Sequence, residues 1–216
     1  MTKLHLGCGE IYLSGYINID FPSNNHTVQT KSVADKYADI TKLKFKKNSI
    51  NEVRLHHVFE HFARAQAIAL LLSWRSWLAK DGLVRIEVPD FNRCAKAVLN
   101  PFSKSRQKNV ALRHIFGSQE QFWAIHFDGY SKNNLKELFN DCGFEVLKIN
   151  ETKYKDIYNV EIIAQKNNKK ITKTAAIRIA TKYLKTYLID DSQTEARLLI
   201  IWLKDFKKQI NQTWAK

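Results

Sequence analysis

The sequence predicts an open α/β sheet, mostly parallel with one reversed strand near its edge, followed by a helical hairpin. Three observations predict it. Short apolar, strand-like runs alternate with helical or crossover segments between residues 3 and 166, the pattern of a parallel sheet covered on both faces. The last two of these runs, "FEVLKINE" and "YNVEIIAQK", are separated only by a few residues around "TKYKDI". So short a link allows an antiparallel pair but no parallel crossover. After Lys166 the texture changes to long amphipathic stretches of helical period. The expected organisation is a sheet domain over residues 1–167 and a basic amphipathic helical extension over 168–216.

The elements follow in order. "KLHLGC" alternates and ends at a glycine, so it reads as a short buried strand, and "GYINID" reads as a second. "EIYLSG" between them is too short for a full helix, so the crossover must be a single turn or an abbreviated helix. Pro22 to Lys36 is polar and reads as loop. "ADITKLKF" predicts a short extended segment and "SINEVRLHHVF" a further strand. Beyond Glu60 the apolar residues Phe62, Ala65, Ile68, Ala69, Leu72 and Trp77 fall at helical spacing, and the expected stop is "KDG", with Gly82 as C-terminal cap. "LVRIEVPDF" is a strand ended by Pro89. Residues 92–130 read as helices or turns broken by Pro101. Ser131 opens a helix with Leu135, Leu138 and Phe139 on one face, ending at Gly143. In the extension, Ser192 and Glu195 have the spacing of a capping box, ahead of an apolar stripe of Leu199, Trp202, Leu203, Phe206 and Ile210.

Composition narrows the function classes. No stretch is long and uncharged enough to span a membrane. Strand-like sequence from Leu4 leaves no room for a signal peptide. Three widely spaced cysteines argue against a disulfide framework or a CxxC zinc site, and for a reduced, cytoplasmic compartment. The net charge is +14, and residues 168–216 hold half of it in under a quarter of the chain. Such a field favours anionic partners: nucleic acid, lipid headgroups, or an acidic or phosphorylated substrate.

The chemistry concentrates in the first sixty residues. Glycine after a strand lets backbone approach a ligand without a Cβ in the way. In open α/β sheets, ligands sit beyond the carboxyl ends of the strands. Gly7, Cys8 and Gly9 take that position after the first strand. Asp20 ends the second strand, where a carboxylate can accept both hydroxyls of a ribose. Asp39 ends a third short segment and could accept from the exocyclic amine of an adenine. A pyrophosphate site requires GxGxxG opening a full helix. Here Tyr12 stands at the third glycine position and the crossover is too short, so adenosine without phosphates fits better.

"LHLGCGEIYLSGYINID", "ADI", "INEVRLHHVFEHF", "WLAKDGLVRIEVPDF" and "NLKELFNDCGFEVLKI" together resemble the successive motifs of class I SAM-dependent methyltransferases, closest to the type 11 group. The resemblance covers residues 3–166 in order. It implies a Rossmann-like sheet and S-adenosyl-L-methionine (SAM) as cofactor. By that resemblance Gly7 and Gly9 underlie the methionine part, Asp20 holds the ribose, and Asp39 with Ile40 contacts the adenine. His57 and Val58 face the sulfonium. The chain departs from the pattern at His5, where an acidic residue is usual, and at Ile11, where a third glycine is usual.

"HVFEH", His57 to His61, matches the H-x-x-E-H signature of a zinc protease family. A strand runs straight into His57, so the two histidines are expected to straddle a strand-to-helix transition, and no third ligand stands out downstream. No metal is expected. As general bases for a hydroxyl acceptor the candidates are His57, His61 and His126, with hydrogen-bonded structural histidines as the alternative for each. His126 is expected to contact the acceptor. Phe116, Phe122, Trp123, Phe127 and Tyr130 cluster near it in sequence, as an apolar or sugar-stacking wall or as core under a lid.

The expected function is therefore SAM-dependent methyl transfer to a small-molecule or glycan-type acceptor. The alternatives are an RNA-modifying methyltransferase and a non-catalytic SAM-binding scaffold that works through its C-terminal helices. The extension itself could pack on the sheet or on a second copy of the chain, lie on an anionic membrane surface, or steer an anionic substrate or nucleic acid.

Overall fold

The computed structural model describes residues 1–22 and 31–215; residues 23–30 of the predicted loop lie outside them. Its strands are β1 (Lys3–Leu6), β2 (Ile17–Asp20), β3 (Lys36–Tyr37), β4 (Ile50–His56), β5 (Leu78–Pro89), β6 (Phe144–Tyr154) and β7 (Ile157–Lys166). They form one sheet in the order β3-β2-β1-β4-β5-β7-β6. β1 to β5 run parallel, and β7 is antiparallel to both β5 and β6. The reversed strand thus sits one place in from the edge, and a two-residue turn at Lys155 and Asp156 joins it to β6. The order reverses at β1, whose neighbours are β2 and β4. That is the switch point where a crevice opens in such sheets.

The central strands seal one face completely and line the other with polar side chains. Leu4, Leu6, Ile19, Val53, Leu55, Val84, Ile86 and Val88 are all fully buried on the first face, and they alternate with His5, Arg54, His56, Arg85 and Glu87 on the second, the period of two expected of a strand. The β1–β2 crossover contains turns and no helix. Asn18 replaces the missing helix as a clamp: its Oδ1 accepts from Leu13 N at 3.0 Å and its Nδ2 donates to Leu13 O at 3.1 Å. The expected extended segment at "ADITKLKF" is corrected: β3 ends at Tyr37, just before it, and the segment itself forms a 3-10 turn at Ile40–Lys42 that Asp39 caps.

Helix α1 (Arg64–Trp77) is buried at every position except Arg64 and Gln66. A helix that is buried all round needs cover on its outer side as well. Here the sheet provides one cover. The other comes from the C-terminal hairpin, α5 (Lys173–Lys185) and α6 (Gln193–Thr213), which packs on α1. Ala176, Ala180, Leu184, Phe206 and Ile210 of the hairpin belong to the same buried cluster as the sheet. Polar ties reinforce it. Thr213 meets Ser73 Oγ at 2.7 Å and accepts from Trp77 Nε1 at 2.7 Å, while Gln209 Nε2 donates to Thr41 O at 2.7 Å. Ser192 caps α6 through Glu195 N, but the Glu195 carboxylate accepts from Ile189 N, so only half of the expected capping box forms. Lys169, Lys170, Lys173, Arg178, Lys182 and Lys185 are exposed. No helix among the described residues is long and apolar enough to cross a membrane.

The expected cap at Gly82 is corrected. α1 ends at Trp77, whose carbonyl accepts from Ser49 N at 2.8 Å, and Leu78 already pairs with Ile50 in the sheet. Gly82 lies inside β5. Near the same end, the Arg75 guanidinium is 4 % exposed and donates to Gly143 O, Asn167 O and Lys169 O at 2.6–3.0 Å. Replacing it with alanine strips the donor from three carbonyls at the root of the hairpin. We expect Arg75→Ala to lose about 3 kcal/mol, seen in calorimetry as a melting temperature lower by roughly 6–12 °C.

The remaining helices are α2 (Phe91–Leu99), α3 (Ser105–Phe116) and α4 (Lys132–Asp141). Asp90 caps α2 through Arg93 N, the break at Pro101 separates α2 from α3, and Ser131 caps α4 through Asn134 N as its sequence predicts.

Candidate cofactor site at the carboxyl ends of the parallel strands

A cavity of about 460 Å³ opens beyond the ends of β1, β2 and β4. Gly7 and Gly9 form its base and Asp20 one side, with Asp39, Ile40, His57 and Val58 also on its wall. These residues come from four separate chain segments, and the strand order alone brings them together.

The glycine turn has a steric reason. Gly7 sits at φ +69° and Gly9 at φ +57°, in the left-handed region that favours glycine. A Cβ on Gly7 would stand 2.4 Å from Val58 Cγ2, closer than any packed pair. Gly7→Ala should therefore push Val58 into the cavity and strain the turn. The expected result is a loss of about 2–3 kcal/mol in denaturant unfolding, together with weaker ligand binding. A variant as stable as wild type would remove this account of the turn.

Asp20 closes the loop from the opposite side. It is 5 % exposed; its Oδ2 accepts from Gly9 N at 2.6 Å and its Oδ1 from Phe21 N at 2.7 Å. An ionised carboxylate has about four acceptor positions, so the same group can still accept from a ligand's hydroxyls. Asp39 is more occupied. Its Oδ1 accepts from Thr41 N and Thr41 Oγ1 at 2.9 and 2.6 Å, and its Oδ2 lies 3.2 Å from Lys42 Nζ.

Cys8 does not join the cavity wall. Its thiol is buried, 3.9 Å from Asp20 Oδ2, and burial followed by the Asp20 charge pushes its pKa up to about 12. It stays a protonated packing group. His5, the departure from the family pattern, is also buried and outside the cavity, with Nδ1 3.0 Å from Asn18 Oδ1.

The three histidines diverge in role. His57 adopts φ +51° just after β4, which turns its ring between two carboxylates: Nδ1 is 3.2 Å from Glu60 Oε1 and Nε2 is 3.6 Å from Glu87 Oε1. Burial alone would lower its pKa, but hydrogen bonds to Glu60 and Glu87 outweigh burial and raise it to about 10. Below that pH it is a cation with no ring lone pair left to accept a proton. His61 borders the cavity, at the far end of a 3-10 turn over Phe59–His61. His126 does not border it. It packs edge-on behind His61, with ring centroids 4.7 Å apart. The expectation that His126 touches an acceptor is therefore not met by this geometry, because the His61 ring is the one that faces inward.

The outer wall is aromatic. Phe122, Trp123 and Phe127 line the cavity, and the rings of Phe122 and Phe127 meet at 5.5 Å. Phe116 is exposed and Tyr130 is buried against Phe59, so only part of the sequence cluster serves this wall. The sequence reading missed Phe62, Ala63 and Gln66, which line the cavity from the start of α1. Phe62 reads in sequence as part of the helix's core stripe, and Ala63 and Gln66 carry no signal of their own.

No family model matches the sequence, and no curated protein does either. Solved structures do match. A SAM-dependent methyltransferase from Methanosarcina mazei superposes with a TM-score of 0.51 at 16% identity, covering 78% of this chain and 93% of that one. A SAM-dependent methyltransferase from Archaeoglobus fulgidus gives 0.52 at 15% identity, with 76% and 86% covered. The 1,6-didemethyltoxoflavin-N1-methyltransferase of Burkholderia thailandensis, solved with bound 1,6-didemethyltoxoflavin and S-adenosylhomocysteine, gives 0.50 at 11% identity, with 77% and 71% covered. The chain has the fold of class I SAM-dependent methyltransferases.

Proposed function

We propose that the protein is a SAM-dependent methyltransferase acting on a small-molecule or glycan-type acceptor. One observation carries this reading: Gly7, Gly9, Asp20, Asp39 and Ile40 meet on a single cavity at the switch point of this sheet. The volume, about 460 Å³, is within the range of cofactor sites. Asp20 would accept from the ribose hydroxyls while it holds Gly9 in place. Ile40 would cover one face of the adenine, and an adenine amine would share Asp39 with Lys42. Val58 and His57 would border the sulfonium end.

When bound, SAM supplies an electrophilic methyl group whose carbon–sulfur bond breaks as the bond to the acceptor forms, leaving neutral S-adenosylhomocysteine. The chain's own task is to align and dry the two reactants. Phe122, Trp123 and Phe127 suit it, since an aromatic wall excludes water and stacks on flat or sugar-like groups. His57 cannot act as base at neutral pH, because both of its ring N–H groups face carboxylates.

Transfer of tritium from methyl-labelled SAM into fractionated cell extract tests the acceptor class. The expected label is resistant to nuclease and travels with small molecules or glycan. Nuclease-sensitive label would move the reading to RNA. A folded chain that binds cofactor and transfers no label to any fraction would contradict the enzyme reading.

A further inference from the structure

Behind the cavity wall, three side chains with metal-binding chemistry converge. Glu60, His61 and His126 each offer a ligand atom, and these atoms lie within 4.8 Å of one another. Glu60 and His61 come from the 3-10 turn ahead of α1, and His126 from the segment that crosses over it.

The imidazoles are already oriented. Nδ1 of His61 lies 3.1 Å from the carbonyl oxygen of Ile125, and Nδ1 of His126 lies 3.1 Å from that of His114. A carbonyl can only accept, so each Nδ1 carries the proton and each Nε2 keeps its lone pair. Proteins orient metal-binding histidines in this way, with the second ring nitrogen donating to a carbonyl or carboxylate. The carboxylate is equally poised. Glu60 is 1 % exposed, its Oε1 accepts from His57, and its Oε2 has no hydrogen-bond partner among the described residues. His126 Nε2 stands 3.9 Å from Glu60 Oε1, beyond hydrogen-bonding distance. The cluster is thus three acceptors with no donor among them, in a place where an orphaned carboxylate oxygen is costly.

We propose that Glu60, His61 and His126 bind a divalent first-row cation of the zinc class at the margin of the cavity. Two imidazole nitrogens and a carboxylate oxygen suit such ions, and three protein ligands leave one coordination position open. A tetrahedral ion with ligands at about 2.1 Å places them about 3.4 Å apart, so the widest pair here closes by at most about 1.4 Å. That is a side-chain adjustment. The ion would cross-link the aromatic wall segment to the head of α1, in parallel with the bond from Phe127 N to Glu60 O at 2.8 Å. It also reassigns the H-x-x-E-H motif: His57 is outside the ligand set and orients Glu60, and His126 takes the place the motif would give to His57. The inference stands whether or not the cavity binds SAM.

The test uses the full-length, tag-free chain, stripped with chelator and titrated with cobalt(II) or zinc(II). We expect one ion per chain at sub-micromolar affinity and visible ligand-field bands of low-coordinate cobalt. At free zinc 100-fold above Kd, the melting temperature should rise by about 5–10 °C. His126→Ala and Glu60→Gln should each weaken cobalt binding at least about 100-fold while circular dichroism stays that of the folded chain. Should either variant fail to fold, stoichiometry and spectrum of the wild-type chain decide alone. No cobalt band and no thermal shift at micromolar metal would overturn the proposal, leaving a hydrated polar cluster. Unchanged affinity in both folded variants would overturn it too, since the ion would then sit elsewhere.

Discussion

Cutting the chain after residue 167 is expected to give a protein that aggregates or melts without a cooperative transition. The sequence presents residues 168–216 as a basic extension, and their charge invites a role at a distance from the sheet. The packing assigns them a task in the core. α1 is buried nearly all round, and α5 and α6 supply its outer cover. Leu184, Phe206 and Ile210 alone contribute about 5–9 kcal/mol of burial between them, comparable to the whole stability of an ordinary domain. The cut also strands Ser73 and Trp77 Nε1, which bond to Thr213. Size-exclusion chromatography and thermal circular dichroism of residues 1–167 check this. A soluble monomer that melts cooperatively within a few degrees of the full chain would contradict it. The same reasoning says that any lipid- or RNA-binding test of the hairpin should keep the full chain and reverse charges at exposed Lys169, Lys170 and Lys173 instead.

Asp20→Ala should abolish measurable cofactor binding. Losing two hydrogen bonds from ligand hydroxyls to a charged acceptor costs about 3 kcal/mol or more, at least about 100-fold in Kd. Alanine also removes the acceptor for Gly9 N, so a loss of stability accompanies the loss of binding. Asp20→Asn separates the two effects. Its remaining carbonyl oxygen can hold Gly9 N, so its melting temperature should recover most of the way while affinity stays low. Calorimetry on both variants, beside their melting curves, makes the distinction. Equal affinity in wild type and Asp20→Ala would remove Asp20 from the site.

What the sequence made legible follows how local each signal is. Gly7, Gly9 and Asp20 are read within one strand–turn–strand stretch, β1 to β2, and their order alone places them at strand ends. The reversed strand is legible because a link as short as Lys155–Asp156 permits no other pairing. The end of α1 is not, because its stop depends on Ser49 and Ile50 reaching Trp77 and Leu78 across the sheet. No propensity at "KDG" encodes that contact. His126 shows the same limit at the site. Its meeting with Glu60 and His61 spans more than sixty residues and depends on how the segment after α3 folds back, so a search for a nearby third ligand could not find it. Cys8 shows the limit of spacing alone: it stands between two cavity glycines in sequence, yet it is buried and off the cavity wall. The hairpin's apolar stripe is legible in sequence but its partner is not, because packing on the sheet domain, on a second copy or on a membrane would each use the same stripe, and only the fold places α1 against it.

The central claim is that this crevice holds an adenosine sulfonium, and isothermal titration of the full-length chain with S-adenosylhomocysteine tests it most directly. The account predicts one site per chain with micromolar or tighter affinity, and displacement of that ligand by SAM. A folded, cooperative wild-type protein that gives no heat and no thermal shift with either compound would contradict it.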